Sequence, residues 1–144
     1  MIKGEKVRLD IHNILLSIYK FNRTLNNPNI IKIINKNKIE DISFINNVTL
    51  NSMRLQYHAL KIIQRYVKKK LRINEKILLI SAITQIVFLD FKDYAVINCS
   101  VEIAKKLKIY HGFINSVLKK ISNDKNTLKK TKIKFDDLPN WFLK

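Results

Sequence analysis

The chain has 144 residues, which is enough for one domain that buries a core without disulfide bonds or structural metals. Its single cysteine, Cys99, excludes an internal disulfide and a multi-cysteine zinc cluster, and is compatible with a reducing compartment. Lysine and arginine number 28 against 11 acidic residues, a formal net charge of +17. Such a charge attracts polyanions, either nucleic acid or an anionic membrane surface.

The basic composition also has a second explanation. Arginine occurs at only five positions, and the chain is rich in lysine, isoleucine and asparagine, as AT-rich coding sequences often are. Coding bias raises the lysine content but does not by itself explain the scarcity of acidic residues. A functional charge and a compositional one therefore both remain open.

Membrane insertion is not expected. The longest apolar run, from Ile77 to Phe91, is shorter than the roughly 20 residues of a spanning helix and contains four polar side chains. The N-terminus lacks the apolar stretch and cleavage site of a secretory signal. These features predict a cytoplasmic protein without a membrane partner.

Only two glycines and two prolines occur, which favours long helices and an all-α fold. The first helix is predicted from about Glu5 to Phe21, because apolar residues recur at helical spacing. They are Val7, Ile11, Ile14, Leu15 and Ile18. Lys3, Lys6 and Arg8 stand at its start, where positive charge opposes the helix dipole and is therefore not a device for stability.

Three further helices are predicted before residue 70. Pro28 suits the first turn of a short helix, with Asn26 or Asn27 as its cap. A third helix begins near Glu40 and carries the apolar residues Ile42, Ile45, Val48, Leu50 and Met53. The fourth carries Leu60, Ile63, Tyr66 and Val67 and ends in Lys68-Lys69-Lys70 with Arg72, a pattern typical of a solvated helix end.

The second half of the chain predicts the centre of the domain. Asn74 can cap a helix that is apolar on nearly every side from Ile77 to Phe88. Asp93 can cap the next helix, and residues 108–112 form a loop. A strongly amphipathic helix follows with Phe113, Ile114, Val117, Leu118 and Ile121 on its apolar side, after which the sequence becomes polar.

Two adjacent segments resemble a known family. They are Ala95-Val96-Ile97-Asn98-Cys99-Ser100-Val101-Glu102-Ile103-Ala104-Lys105-Lys106 and Gly112-Phe113-Ile114-Asn115-Ser116-Val117-Leu118-Lys119-Lys120-Ile121. They resemble the paired helical motifs of the NusB-type RNA-binding domain. The resemblance implies an all-α bundle of about seven helices in two sub-bundles that share the helix from Ile77 to Phe88, and RNA as the partner.

The family has two main forms. One is a transcription antitermination factor that binds leader RNA with a small-subunit ribosomal protein, and the other is the N-terminal domain of a small-subunit rRNA cytosine-5 methyltransferase. Pro139-Asn140-Trp141-Phe142 and Gln85 resemble the methyltransferase branch. The resemblance therefore implies an RNA-binding domain over residues 1–134 and the start of a linker to a catalytic domain over 135–144.

The chain departs from the family pattern at three notable positions. Ile80 and Thr84 stand where the family commonly has Arg and Tyr, and Cys99 stands where a Glu usually follows the Asn. These changes suggest that an ion pair was exchanged for apolar contact, which can preserve stability while weakening polar contacts to RNA.

No enzymatic chemistry is expected on this chain alone. Methyl transfer would require a glycine-rich S-adenosylmethionine loop after a parallel strand and an activated cysteine, and the sequence offers neither. Cys99 lies in an apolar helical pattern that predicts a buried thiol. His12 and His58 are expected at the core edge or surface, without metal-ligand spacing, while His111 could contact phosphate. No cofactor or metal is predicted.

The predicted RNA-binding residues are basic side chains at helix ends around the family motifs: Lys3, Lys6, Arg8, Lys105, Lys106, Lys119 and Lys120. Tyr19, Tyr94 and Tyr110 are candidates for base stacking or for the core edge. Asn98 and Asn115 are interpreted as amides that bond to a neighbouring helix, with an RNA-facing role as the alternative.

Three functions follow as hypotheses. The first is an rRNA-targeting domain of, or related to, a cytosine-5 methyltransferase. The second is an antitermination factor that binds leader RNA together with a ribosomal protein. The third is a helical protein-interaction module whose charge reflects coding bias.

Overall fold

The computed structural model describes residues 2–130. These residues form seven α-helices and no β-strand, which confirms the all-α prediction. The helices are α1 (Glu5–Phe21), α2 (Pro28–Asn35), α3 (Ile39–Arg54), α4 (Gln56–Tyr66), α5 (Ile73–Ile83), α6 (Asp93–Lys106) and α7 (His111–Lys129). A π-helical turn over Thr84–Phe88 continues α5. The predicted linker over residues 135–144 lies outside the described residues.

Two apolar clusters fill the interior of the described chain. The first joins α1, α2 and α3 to Ile77 of α5. The second joins α4, α6 and α7 to α5 and its π-helical turn, through Leu78, Leu79 and Ile83 among others. Because α5 supplies side chains to both clusters, the structure agrees with two sub-bundles that share this helix.

The first three helices largely follow their apolar patterns. The bounds of α1 are the predicted ones, and Ile11, Ile14 and Leu15 are fully buried. Asn27 caps α2, because its Oδ1 accepts a hydrogen bond from the backbone N–H of Asn29 at 2.9 Å. Leu50 contradicts its prediction: it lies on the outer face of α3 and is 51% exposed.

Two predicted helix caps are wrong. Helix α5 begins earlier than expected, and the carboxylate of Glu75 accepts a hydrogen bond from the backbone N–H of Arg72 at 3.0 Å. Asn74 therefore lies inside the helix, where its Oδ1 is 2.9 Å from Nε2 of His12 in α1. Asp93 is the first residue of α6, and its carboxylate instead binds Ser122 and Lys125 of α7. In both cases a contact to another helix replaces the local cap.

The central helix is less regular than its apolar pattern predicts. The hydroxyl of Thr84 donates to the carbonyl of Ile80 at 2.8 Å, and the N–H of Leu89 donates to the carbonyl of Thr84 at 2.9 Å. The second bond spans five residues, which is the spacing of a π-helix. Because a threonine hydroxyl competes for backbone acceptors, it can favour such an irregularity.

Helix α7 extends beyond its predicted end. The sequence becomes polar after Ile121, but the helix continues to Lys129. Leu128, seven residues after Ile121, is on the same helical face and is buried in the second cluster. One apolar residue at the correct spacing therefore holds two further turns against the core.

Candidate nucleic-acid interface

A cleft of about 590 Å³ lies between the connection from α4 to α5 and the connection from α6 to α7. Lys69, Lys70 and Arg72 line one side, and Lys108 and Tyr110 line the other. The only acidic residue among its lining residues is Glu75. We call this site the basic cleft, since four cations face one carboxylate.

The carboxylate of Glu75 is already engaged by its surroundings. It is largely buried, accepts the backbone N–H of Arg72, and lies 3.4 Å from Nζ of Lys69. The same Nζ lies 4.2 Å from the ring centroid of Phe113. Lys69 is therefore held in place, while Lys70, Arg72 and Lys108 are exposed and form no ion pair within residues 2–130.

An aromatic side chain stands beside these cations. Tyr110 is 68% exposed, and its ring stacks on that of His111 with centroids 6.1 Å apart and an interplanar angle of 9°. A Cβ at position 112 would lie 2.8 Å from this ring, so the glycine at this position permits the close approach. The basic cleft thus combines unpaired cations for phosphates with a ring on which a base can stack.

Two of the three RNA-binding residues predicted at the start of α1, Lys6 and Arg8, have side chains in contact with other residues of the domain. Lys6 is exposed and pairs with Asp10 at 2.9 Å. Arg8 is half-buried, donates from Nε to Gln85 at 2.7 Å, and lies over the Phe44 ring at 5.1 Å. Lys3 is exposed, and its carbonyl lies 3.5 Å from Sγ of Cys99.

Helix α6 ends in two lysines that have acidic partners. Lys105 pairs with the partly exposed Glu102 at 3.1 Å. Lys106 forms an ion pair with the buried carboxylate of Glu5 in α1. The hydrogen bond from Lys106 lowers the pKa of Glu5 below its ordinary value of 4.5, although burial opposes this shift.

We expect Lys106→Met to destabilise the fold by about 1–3 kcal/mol at neutral pH, because it leaves the Glu5 carboxylate buried and unpaired. Since the folded pKa of Glu5 is lowered, the contribution of the pair is present above pH 4.5 and is lost as the pH falls below it. Urea unfolding from pH 3 to 7 measures both effects.

Lys105→Met is the matched control, because it removes an exposed pair and should cost about 0.5 kcal/mol or less. Equal losses in the two variants, or a Lys106→Met variant with the pH profile of the unmodified chain, would contradict a structural role for the buried pair.

Lys119 and Lys120 lie exposed on α7 and form no ion pair within the described chain. None of the seven lysines and arginines predicted from the sequence lines the basic cleft. Three of the cations that line the basic cleft, Lys69, Lys70 and Arg72, belong to a basic cluster that the sequence pattern indicated as a solvated helix end. Only the fold places Lys108 and Tyr110 opposite this cluster.

The three histidines and the two motif asparagines agree only in part with their predictions. His12 and His58, which were predicted at the core edge or at the surface, are both buried, and burial lowers the pKa of His12. His111 is exposed as the first residue of α7. Asn98 and Asn115 line a shallow groove, and their side-chain amides make no hydrogen bond within residues 2–130, so the predicted cross-helix bonds are absent there.

The departures from the family pattern occupy interior positions. Ile80 and Thr84 are buried, in agreement with an exchange of polar for apolar contact. Cys99 is buried as predicted, 3.8 Å from Nη1 of Arg8, and burial raises the pKa of its thiol. Gln85 holds the Arg8 guanidinium and donates to Ser81, so it joins α1 to the continuation of α5.

Residues 2–130 contain neither a metal-ligand cluster nor a helix that could span a membrane. This part of the chain has no group of three or more histidine, cysteine or carboxylate side chains that could hold a metal ion. None of its helices combines the length and the apolar character needed to cross a membrane.

Comparison with known proteins identifies a family for this chain. No curated protein matches the chain. Residues 6–123, which include all of α2 to α6, all but the first residue of α1 and most of α7, match the NusB family. NusB domains typically bind RNA, which supports RNA as the kind of partner for this chain. Since the match covers most of the chain and the helices form the expected bundle, this chain belongs to the NusB family.

Proposed function

We propose that this chain binds RNA through the basic cleft. The observation that supports the proposal is the set of three exposed cations, Lys70, Arg72 and Lys108, that have no acidic partner within the described residues. Cations of this kind bind phosphates and release counterions, which gives affinity without sequence preference. Tyr110 adds a surface on which an unpaired base can stack.

We propose further that the RNA is small-subunit rRNA and that the chain serves a cytosine-5 methyltransferase as its targeting domain. Gln85 and the Pro139-Asn140-Trp141-Phe142 element support this branch of the family. In this mechanism residues 1–134 hold the RNA, and residues 135–144 begin the connection to a catalytic domain. The domain described here contributes binding and orientation, and the chemistry belongs to the catalytic part.

Binding of the full chain to small-subunit rRNA fragments and to a shuffled RNA, measured across a salt series, tests this function. We expect tighter binding to one or more rRNA fragments, and an affinity that falls linearly with the logarithm of the salt concentration. Weak and equal binding to every RNA, lost near physiological salt, would contradict the proposal and favour a protein-binding role.

The outer face of α3 favours a second candidate function. Ile39 and Leu50, eleven residues apart and therefore on one helical face, are both strongly exposed. Exposed apolar side chains are more useful for contact with a protein than with RNA phosphates. This candidate is an antitermination factor that binds leader RNA with a small-subunit ribosomal protein, and a stoichiometric complex with that protein would favour it.

A further inference from the structure

A second cavity adjoins the basic cleft. It has a volume of about 240 Å³, is lined by residues of α1, α4 and α5, and opens to solvent. Its lining is mainly apolar, with Leu60, Ile77 and Ile80 in the wall. Ile73 lines both this cavity and the basic cleft, so the two spaces meet at the first residue of α5. We call the second space the apolar cavity.

The few polar groups of the apolar cavity retain hydrogen-bonding capacity. Tyr19 lines it, and the Tyr19 hydroxyl is buried without a hydrogen-bond partner in the described chain. Gln56 donates from Nε2 to the carbonyl of Met53 at 3.0 Å, and its side-chain oxygen makes no hydrogen bond within residues 2–130. An unpaired buried hydroxyl costs free energy, which a ligand with a complementary group would recover.

Lys76 brings a positive charge to the same wall. Its side chain is exposed and forms no ion pair within the described residues. The lining thus combines aliphatic side chains, one tyrosine ring with its hydroxyl, one amide oxygen and one ammonium group. A planar ring with polar edges, attached to a phosphate, matches this set in shape and in charge.

We propose that the apolar cavity receives one unpaired base of an RNA strand whose phosphates lie in the basic cleft. The proposal rests on the RNA-binding function proposed above. The cavity is smaller than the roughly 300–1,000 Å³ of pockets for drug-sized ligands, which suits a single base. The partner is therefore single-stranded RNA, because the bases of a duplex are stacked and cannot enter without being extruded.

The protonation state of Tyr19 suits this role. Burial raises the pKa of Tyr19, and the neighbouring Tyr57 adds to the shift. The hydroxyl therefore stays protonated at neutral pH and can donate to a carbonyl oxygen or ring nitrogen of a base. The side-chain oxygen of Gln56 can accept from an amino or imino group on the same ring.

The test compares two single-stranded RNA probes of 12 nucleotides, one with bases and one an abasic sugar–phosphate chain of equal charge. We expect the full chain to prefer the base-bearing probe, and Tyr19→Phe to reduce this preference by about 3- to 10-fold, the worth of one hydrogen bond. Leu60→Phe, which enlarges a wall residue, should reduce it as well. Tyr66→Phe is the control and should leave it unchanged, because Tyr66 bonds to Asp124 of α7 and does not line the apolar cavity.

The possible results distinguish a failure of the base-binding inference from a failure of the proposed RNA-binding function. If the probes bind and their affinity depends on Lys70 and Lys108, but neither cavity variant changes the preference for bases, the cavity does not hold a base and the RNA-binding function stands. If no probe binds the full chain at low salt, both proposals fail. Circular dichroism and thermal melting establish that each variant is folded, so that a change in preference reports on the cavity.

Discussion

Replacing Lys70 and Lys108 together by glutamine is expected to lower the affinity for RNA by about 10- to 100-fold at low salt. These side chains lie on opposite sides of the basic cleft and lack acidic partners within the described chain, so both can contact phosphates of one strand. For a single strand, each lost phosphate contact should reduce the slope of log affinity against log salt by about 0.7, or about 1.4 for the pair. Fluorescence anisotropy across a salt series measures both quantities.

The matched control is the double replacement of Lys119 and Lys120 by glutamine. It removes the same charge from exposed positions of α7 that do not line the basic cleft. We expect a loss of about threefold or less, because only the long-range field changes. If replacing Lys119 and Lys120 lowers the RNA affinity as much as replacing the cleft pair, binding depends on net charge and the basic cleft is not the site. If replacing Lys119 and Lys120 lowers the RNA affinity more than replacing the cleft pair, the site predicted from the sequence motifs is the correct one.

Replacing Leu79 by alanine is expected to lower the free energy of unfolding by about 3–4 kcal/mol. Leu79 is 0% exposed and lies in α5, the helix that supplies both apolar clusters. The loss combines the transfer of apolar atoms to water with a cavity that close-packed neighbours cannot fill. Because typical domains have a stability of only 5–15 kcal/mol, this is a large part of the total. Urea unfolding followed by circular dichroism measures it.

Leu50→Ala is the control for this prediction, since it makes the same chemical change within a helix. Leu50 is half-exposed on α3, and alanine has the higher helix propensity, so we expect a change of about 0.5 kcal/mol or less. Equal costs at the two positions would mean that the burial of α5 does not control stability. A single cooperative transition in both variants is expected, because the shared helix couples the two clusters.

Hydrophobic periodicity was sufficient to predict most of the helices. The bounds of α1 and the cap of α2 follow from local signals, namely the spacing of isoleucines and leucines and an asparagine before a proline. These signals act within a few residues of one another, so they can be identified without knowledge of the fold.

The errors arise where another helix supplies the partner. Asn74 and Asp93 have side chains that often cap helices, but each instead bonds to a distant helix, α1 or α7. Leu50 fits the apolar pattern of α3 and is nevertheless exposed, since no helix within residues 2–130 covers that face. The extension of α7 to Lys129 depends on the packing of Leu128, which a polar local sequence concealed.

The same contrast between local signals and contacts with distant helices applies to the candidate site. The helical class, the excess of positive charge and the family follow from the sequence, because composition, periodicity and local motifs are properties of the chain. The packing of the helices determines which cations can act together. It paired Lys106 with Glu5 and placed Lys108 across a cleft from Lys70, because contacts between residues distant in sequence depend on how the helices pack.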